Sequence, residues 1–259
     1  MRDRNLVGRL IGSLVALVCL FPAAYILALS FVKRWEALRM LPSEWHTAHW
    51  FTALNDAVLL RSVGVSIVIS CGVALVSTAV GFSTSRFIAQ HPTAAQRKCL
   101  MLLAYAPFAM SPVIFGTSAH IIFIKLGLAS TIAGVILAQT MFGCALAVII
   151  FSSFWNEQVF ALESLARTLG AGRREVWVRV LIPQARGFLL LTLVQTFLLS
   201  WFQYGLTLVI GGGAVQTLPL LVYSAINEAN PYYAAVSASI LMFPALVMMT
   251  LNKRLLVQR

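Results

Sequence analysis

The sequence predicts an all-α integral membrane protein with six transmembrane helices and both chain ends on the cytoplasmic side. Three observations predict it. Of the residues, 60% are hydrophobic and only 10% charged, against about a quarter charged in an ordinary soluble domain. Six apolar windows, roughly 10–31, 62–84, 100–124, 131–155, 187–210 and 232–252, each reach the length of about twenty apolar residues that spans a hydrocarbon core. The basic residues divide unevenly between the two sets of loops those windows define. Fourteen of the 19 lie on the side shared by both ends, and five (Lys33, Arg34, Arg39, Arg61 and Lys125) lie on the other. Positive charge is retained on the cytoplasmic face, so the net charge of +11 reads as a topology signal answered by anionic lipid headgroups. No nucleic-acid partner is expected.

The first window follows Arg2 and Arg4, as a signal peptide would. It is too long for an h-region and lacks a small-residue cleavage site, so it is read as a retained helix. An outer loop over 32–61 carries Leu41-Pro42, Trp45, Trp50 and Phe51, aromatics suited to the headgroup level. His46 and His49 lack a neighbouring carboxylate or thiolate and read as surface residues, not metal ligands. In the second window Ser62, Ser66, Ser70, Ala74 and Thr78 recur every fourth residue and form one helix face. Small residues there let another helix approach closely.

Pro107 and Pro112 kink the third window. Carbonyls freed inside a membrane must meet protein or a watered cavity, which makes both prolines candidates for lining a path. His120, near the outer end, reads as locally hydrogen-bonded. Lys125–Thr131 is a short outer turn containing Gly127, and the fourth window follows. The fifth holds Gln195, Gln203 and Tyr204, further path candidates. Gly211-Gly212-Gly213 breaks the chain. Residues 214–231, with Asn227, Glu228 and Asn230, are too polar for a span and predict a short re-entrant or surface helix. The sixth window contains Pro244 and ends at Lys253-Arg254. The four cysteines, Cys19, Cys71, Cys99 and Cys144, are widely spaced and support neither a zinc site nor a disulfide framework.

None of the eight acidic residues falls inside a window. Intramembrane ionisable residues mark proton and cation relays, so their absence weighs against the alternative of an ion-coupled secondary transporter or channel. His120 is the remaining candidate for such a role. No catalytic cluster of polar residues is present, and an enzyme is not expected.

The most informative stretch is the polar loop 156–186. Read as a helix, 157–169 lines up Val159, Leu162, Ala166 and Leu169 on one face, with Glu157, Glu163 and Arg167 off it. Gly170 is a natural terminator. A second helical run from Arg173 gathers Val176, Trp177 and Val180, and Pro183 opens the next helix. The predicted product is a helix–glycine–helix hook with apolar faces, to be covered by a protein partner or laid on the bilayer surface.

Ala166, Gly170 four residues on, then Val180, Ile182 and Pro183 form a spacing that resembles the "EAA" loop of permease subunits in bacterial ABC importers. Ser164 and Leu165 stand where that pattern has glutamate and alanine, with Glu163 one place early. Further stretches resemble the spermidine/putrescine group of these permeases: Leu41-Pro42 before Trp50-Phe51, Ser66 to Gly81, Pro107 to Gly116, Gly127-Leu128, and Thr217-Leu218-Pro219 with Tyr223. The likeness covers about 30–255 and extends to thiamine, iron and phosphonate permeases. Where polyamine permeases carry acidic residues in the fifth helix, Phe202 and Gln203 stand here.

The resemblance implies a type I ABC importer permease fold, a single transmembrane domain over 1–259 in a bacterial inner membrane. Coupling to an ATPase would run through 156–186, carried by Glu163, Ser164, Ala166, Arg167, Gly170, Val180, Ile182 and Pro183. It further implies an ATP-binding subunit dimer, a second permease subunit and an extracytoplasmic solute-binding protein. No Gly-x-x-x-x-Gly-Lys-Ser/Thr motif occurs. ATP and magnesium would therefore sit on the partner ATPase, with no cofactor on this chain.

Overall fold

A computed structural model describes residues 2–34, 44–90 and 93–257. Arg39 and Leu41-Pro42 of the outer loop lie outside the described residues. In chain order come α1 (Arg2–Leu29), β1 (Val32–Arg34), β2 (Glu44–Trp45), α2 (Ala48–Leu54), α3 (Ala57–Ala89), α4 (Ala94–Tyr105), a 3-10 turn (Ala106–Ala109), α5 (Pro112–Lys125), α6 (Ile132–Ser152), α7 (Glu157–Thr168), α8 (Arg173–Glu175), a π-helical stretch (Val176–Leu181), α9 (Ile182–Trp201), α10 (Gly205–Gly211), α11 (Leu218–Asn227) and α12 (Pro231–Val257). The two strands make one antiparallel ladder; every other described element is helical.

Among the described residues, four helical runs are long and apolar enough to cross a membrane: Ala57–Ala89, Ile132–Ser152, Arg173–Trp201 and Pro231–Met248. A fifth candidate is the pair Ala94–Ala109 and Pro112–Lys125, bent by 96°. The first window is covered by α1, a helix of 28 residues that includes the apolar stretch Leu20–Leu29. Two predicted windows are thus redrawn. The third is no single helix: Met110 takes an extended backbone before Pro112 opens α5. Proline forbids the preceding residue the helical region, and Ser111 is extended accordingly. The fifth window does not reach 210. Its helix starts at Arg173 and stops at Trp201, and α10 is a separate piece.

The chain divides into two compact units, residues 1–63 with 218–246, and residues 64–217 with 247–259. In the first, the Trp50 indole donates to Ser30 Oγ (3.1 Å) and its ring stacks on Phe31. Trp45 and Phe51 stay exposed, as headgroup-level aromatics would. The Asp56 carboxylate caps α3 by accepting the Val58 N–H (2.8 Å) and also accepts the Tyr233 hydroxyl of α12. His46 and His49 are not the free surface residues expected. Both are half-buried; their rings meet edge-on with centroids 4.4 Å apart, and His49 stacks on Tyr232.

In the second unit α3 and α6 pack backbone to backbone. A Cβ on Gly81 would fall 2.3 Å from that of Ala147, and one on Gly143 would fall 2.2 Å from Ser77 Oγ. The predicted stripe Ser62, Ser66, Ser70, Ala74 and Thr78 is buried throughout. Val68 and Leu75, on the opposite side of α3, are exposed, as a lipid-facing surface requires. Two apolar cores result. One joins Ile69 and Val73 of α3 to Phe123, Phe142, Leu206 and Ile210. The other gathers Phe82, Phe151, Phe154, Trp155, Val176 and Leu181 where the hook leaves the spans.

Gly212 and Gly213 take φ of +52° and +80°, so the triple-glycine breaker does end a helix in the left-handed region. The polar stretch after it forms the ten-residue α11, which buries Leu218, Pro219, Leu221 and Ala225.

Candidate functional site

The hook is built from local signals that hold it rigid. The Asn156 side chain accepts the Val159 N–H (3.0 Å) and starts α7. At the other end the Ala171 N–H bonds the Ala166 carbonyl and the Gly170 N–H bonds the Arg167 carbonyl, each at 3.0 Å. That is the paired pattern of a Schellman cap, and Gly170 adopts the left-handed φ of +88° it needs. The Glu175 carboxylate then reaches back to the Gly172 N–H (3.2 Å) and starts α8.

The faces differ from those expected. Val159 is buried and Ala166 half-buried, but Leu162, Leu165 and Leu169 are 40%, 56% and 80% exposed. The inward position between Val159 and Ala166 belongs to Glu163, whose carboxylate is 7% exposed. Its Oε1 accepts Arg86 Nη2 at 2.5 Å and Arg167 Nη2 at 2.7 Å. Arg86 comes from α3 and lies between two indoles, its guanidinium carbon 4.9 Å from the Trp177 centroid and 5.8 Å from that of Trp155. Trp155 in turn donates to Ser85 Oγ at 2.8 Å. Removing one member of such a buried pair costs about 3–5 kcal/mol, because the other charge is left uncompensated.

The second half of the hook is wound differently from the expected α-helix. Between Val176 and Leu181 the backbone is π-helical, and those two residues, five apart, are the ones buried at 0%. Val180 is only half-buried. Pro183 stands in the first turn of α9, as expected, but α9 continues without a break from the winding that begins at Arg173. Proline has no N–H to give and its ring collides with the carbonyl four residues back. A widened turn just before it accommodates both defects.

Of the remaining residues of the loop motif, Ser164 is exposed and bonds its own helix at the Phe160 carbonyl (2.9 Å). Ile182 is 44% exposed, and Pro183 is exposed too.

Of the path candidates, Pro112 and Gln203 come together with Phe108, Met110, Phe142 and Leu199 around a cavity of about 160 Å³ at the helix break. Pro107, Gln195 and Tyr204 do not line it. Gln139 does, and sequence reading missed it. Its Nε2 donates to Thr207 Oγ1 (2.9 Å) and its Oε1 accepts the Ser200 hydroxyl (2.5 Å). Thr207 donates on to the Gln203 carbonyl. One buried amide thus satisfies the polar groups on both sides of the α9–α10 break, which is what permits the fifth window to stop at Trp201. A glutamine in the most apolar stretch of the chain was the available signal. His120 is half-buried with Nδ1 unpartnered, contrary to the local bond expected.

No family model matches the chain. The putrescine transport system permease protein PotI of Escherichia coli is 24% identical over 204 residues, 76% of this chain and 73% of that protein. The molybdenum transport system permease protein ModB of Mycobacterium tuberculosis is 30% identical over 160 residues, 56% of this chain and 60% of that protein. The fold matches that of a bacterial ABC transporter involved in the import of the acidic polysaccharide alginate. The TM-score is 0.73 at 16% identity, over 98% of this chain and 96% of that one. A second structure of a bacterial alginate ABC transporter, in complex with an alginate pentasaccharide-bound periplasmic protein, matches with a TM-score of 0.68 at 16% identity, over 98% of this chain and 93% of that one. Taken with the long apolar helices, these likenesses show that the chain is similar to permease subunits of bacterial transport systems and shares the helical membrane-protein fold of the alginate ABC transporter.

Proposed function

We propose that residues 156–186 are the part through which this permease is gripped by a separate ATPase. The observation that carries the reading is the exposure of Leu162 and Leu165 on α7 and of Leu169 at its C-cap, on a helix capped at both ends and pinned from behind by Glu163 and the Phe82–Trp155 core. A rigid peg with an apolar face needs a cleft to fill. An ATPase that closes on ATP would pull the peg and, through it, the spans. In this reading the whole chain is one permease domain with six spans and both ends inside. It forms half of the solute path beside a second permease subunit, and it receives solute from a binding protein on the outer face. Support for the last point is the alginate transporter solved with its periplasmic protein.

The solute path would run by the cavity at the α4–α5 break. Its lining carries two glutamines, Gln139 and Gln203, among apolar side chains, and no carboxylate. A polyamine cation entering it would lose hydration without a counter-charge. That favours a small solute without strong positive charge over putrescine, although putrescine is the solute named for a relative.

Deleting residues 163–170, or replacing Gly170 by proline, is expected to strip the ATPase from the membrane complex while the spans still insert. Co-purification measures this directly. Retention of the ATPase at wild-type levels after the deletion would overturn the coupling reading.

A further inference from the structure

On the coupling reading above, we propose a specific role for Glu163: it is turned away from the ATPase and forms, with Arg86, an internal strut that passes displacement of the hook to α3. Three observations carry this. The Glu163 carboxylate is 7% exposed and the Arg86 side chain 11%, so a partner on the outer face of α7 meets leucines instead. Four segments converge on the Arg86 guanidinium: α3 itself, α7 through Glu163, the link between α6 and α7 through Trp155, and the π-helical stretch through Trp177. Moving the hook therefore moves this one group. Finally, the pair is incomplete. Both guanidinium contacts use Glu163 Oε1, while Glu163 Oε2 and Arg86 Nε are buried with no partner. Arginine and carboxylate prefer two parallel bonds, so a second, bidentate arrangement of the same two side chains is available without any new group entering the site. The strut can thus hold the hook to α3 in two positions.

The test uses the assembled complex of this chain with its ATPase in lipid nanodiscs. Spin labels go on a cysteine-depleted background at Ser83→Cys on α3 and Leu190→Cys on α9, both exposed positions. The inter-label distance is measured without nucleotide and after trapping with ATP and vanadate. The unmodified strut is expected to give a nucleotide-dependent change. Glu163→Gln and Arg86→Met should each abolish it, the double variant should be no worse than either single one, and co-purified ATPase should stay within about twofold of wild type in all three. Arg86→Lys, which keeps the buried charge compensated, should restore part of the change and covers the case in which Arg86→Met does not fold. The proposal is overturned if Glu163→Gln sheds the ATPase while Arg86→Met keeps it, since Glu163 would then touch the partner. It is equally overturned if the distance change survives in both single variants. Failure of the coupling reading looks different: the hook deletion then leaves the ATPase bound.

Discussion

His49 sits in a setting that favours its neutral form. Burial against its neighbours lowers its proton affinity below the ordinary histidine value of 6.5, the charge of His46 lowers it further, and a bond to the Val32 backbone works the other way. A group that binds its proton less tightly when folded contributes stability that is complete above the unfolded-state value and is lost as pH falls through the lowered one. Packing of α2 should therefore loosen below about pH 6.5, the unperturbed histidine value. Amide exchange over Ala48–Leu54, corrected for its intrinsic pH dependence, should accelerate in acid and lose that extra acceleration in His49→Phe. A flat profile in the unmodified protein would contradict the assignment. Reading from sequence reached His49 as a loop residue but not its partners, because Tyr232 lies 183 positions away. Glu163 shows the same limit: helical periodicity put it on the polar face, and only Arg86, distant in sequence, explains its burial.

The α3–α6 contact shows what a helix can and cannot disclose alone. The small-residue stripe of α3 was legible as a buried face, because a four-residue recurrence maps directly onto one side of a helix. The α3 residues that meet α6, Ser77 and Gly81, lie beside that stripe and were not legible, and neither was Gly143, which sits in a run with no periodic pattern. Gly143→Val should destabilise the protein by about 1–3 kcal/mol, the usual cost of forcing atoms into a filled core. Gly64→Ala, whose added Cβ meets nothing within 4 Å, should leave the thermal midpoint in detergent almost unmoved. Equal midpoints for the two variants would show that the helices do not meet as described. The proline pair of the third window announced a kink, but proline alone does not set its size. The 96° bend also depends on where α5 finds its packing, with Gly205 of α10 seated against Val113.

For the molecule as a whole, composition carried the membrane assignment, and charge asymmetry carries the expectation of its orientation. The fourteen-to-five division of basic residues places both ends in the cytoplasm if six spans are present. A fluorescent protein fused after Arg259 should glow, and an alkaline phosphatase fused there should be inactive. The reverse pattern would overturn the cytoplasmic placement of that end. Spans were legible because twenty apolar residues leave few alternatives in water. The break after Trp201 was not, because it depends on Gln139 reaching across from another helix.

The π-helical stretch gives the hook its aim. Each residue of an α-helix advances about 100° around the axis. A wider turn holds one residue more between two positions that face the same way. Val176 and Leu181 are such positions. Losing a single residue there, with both core contacts kept, would restore ordinary winding and leave α9 where it is. Yet the same loss with the winding unchanged would swing the hook around the helix by roughly a quarter-turn. The bearing of the hook relative to the spans is therefore recorded as a residue count, and sequence alignments scored on side-chain identity alone would pass over it.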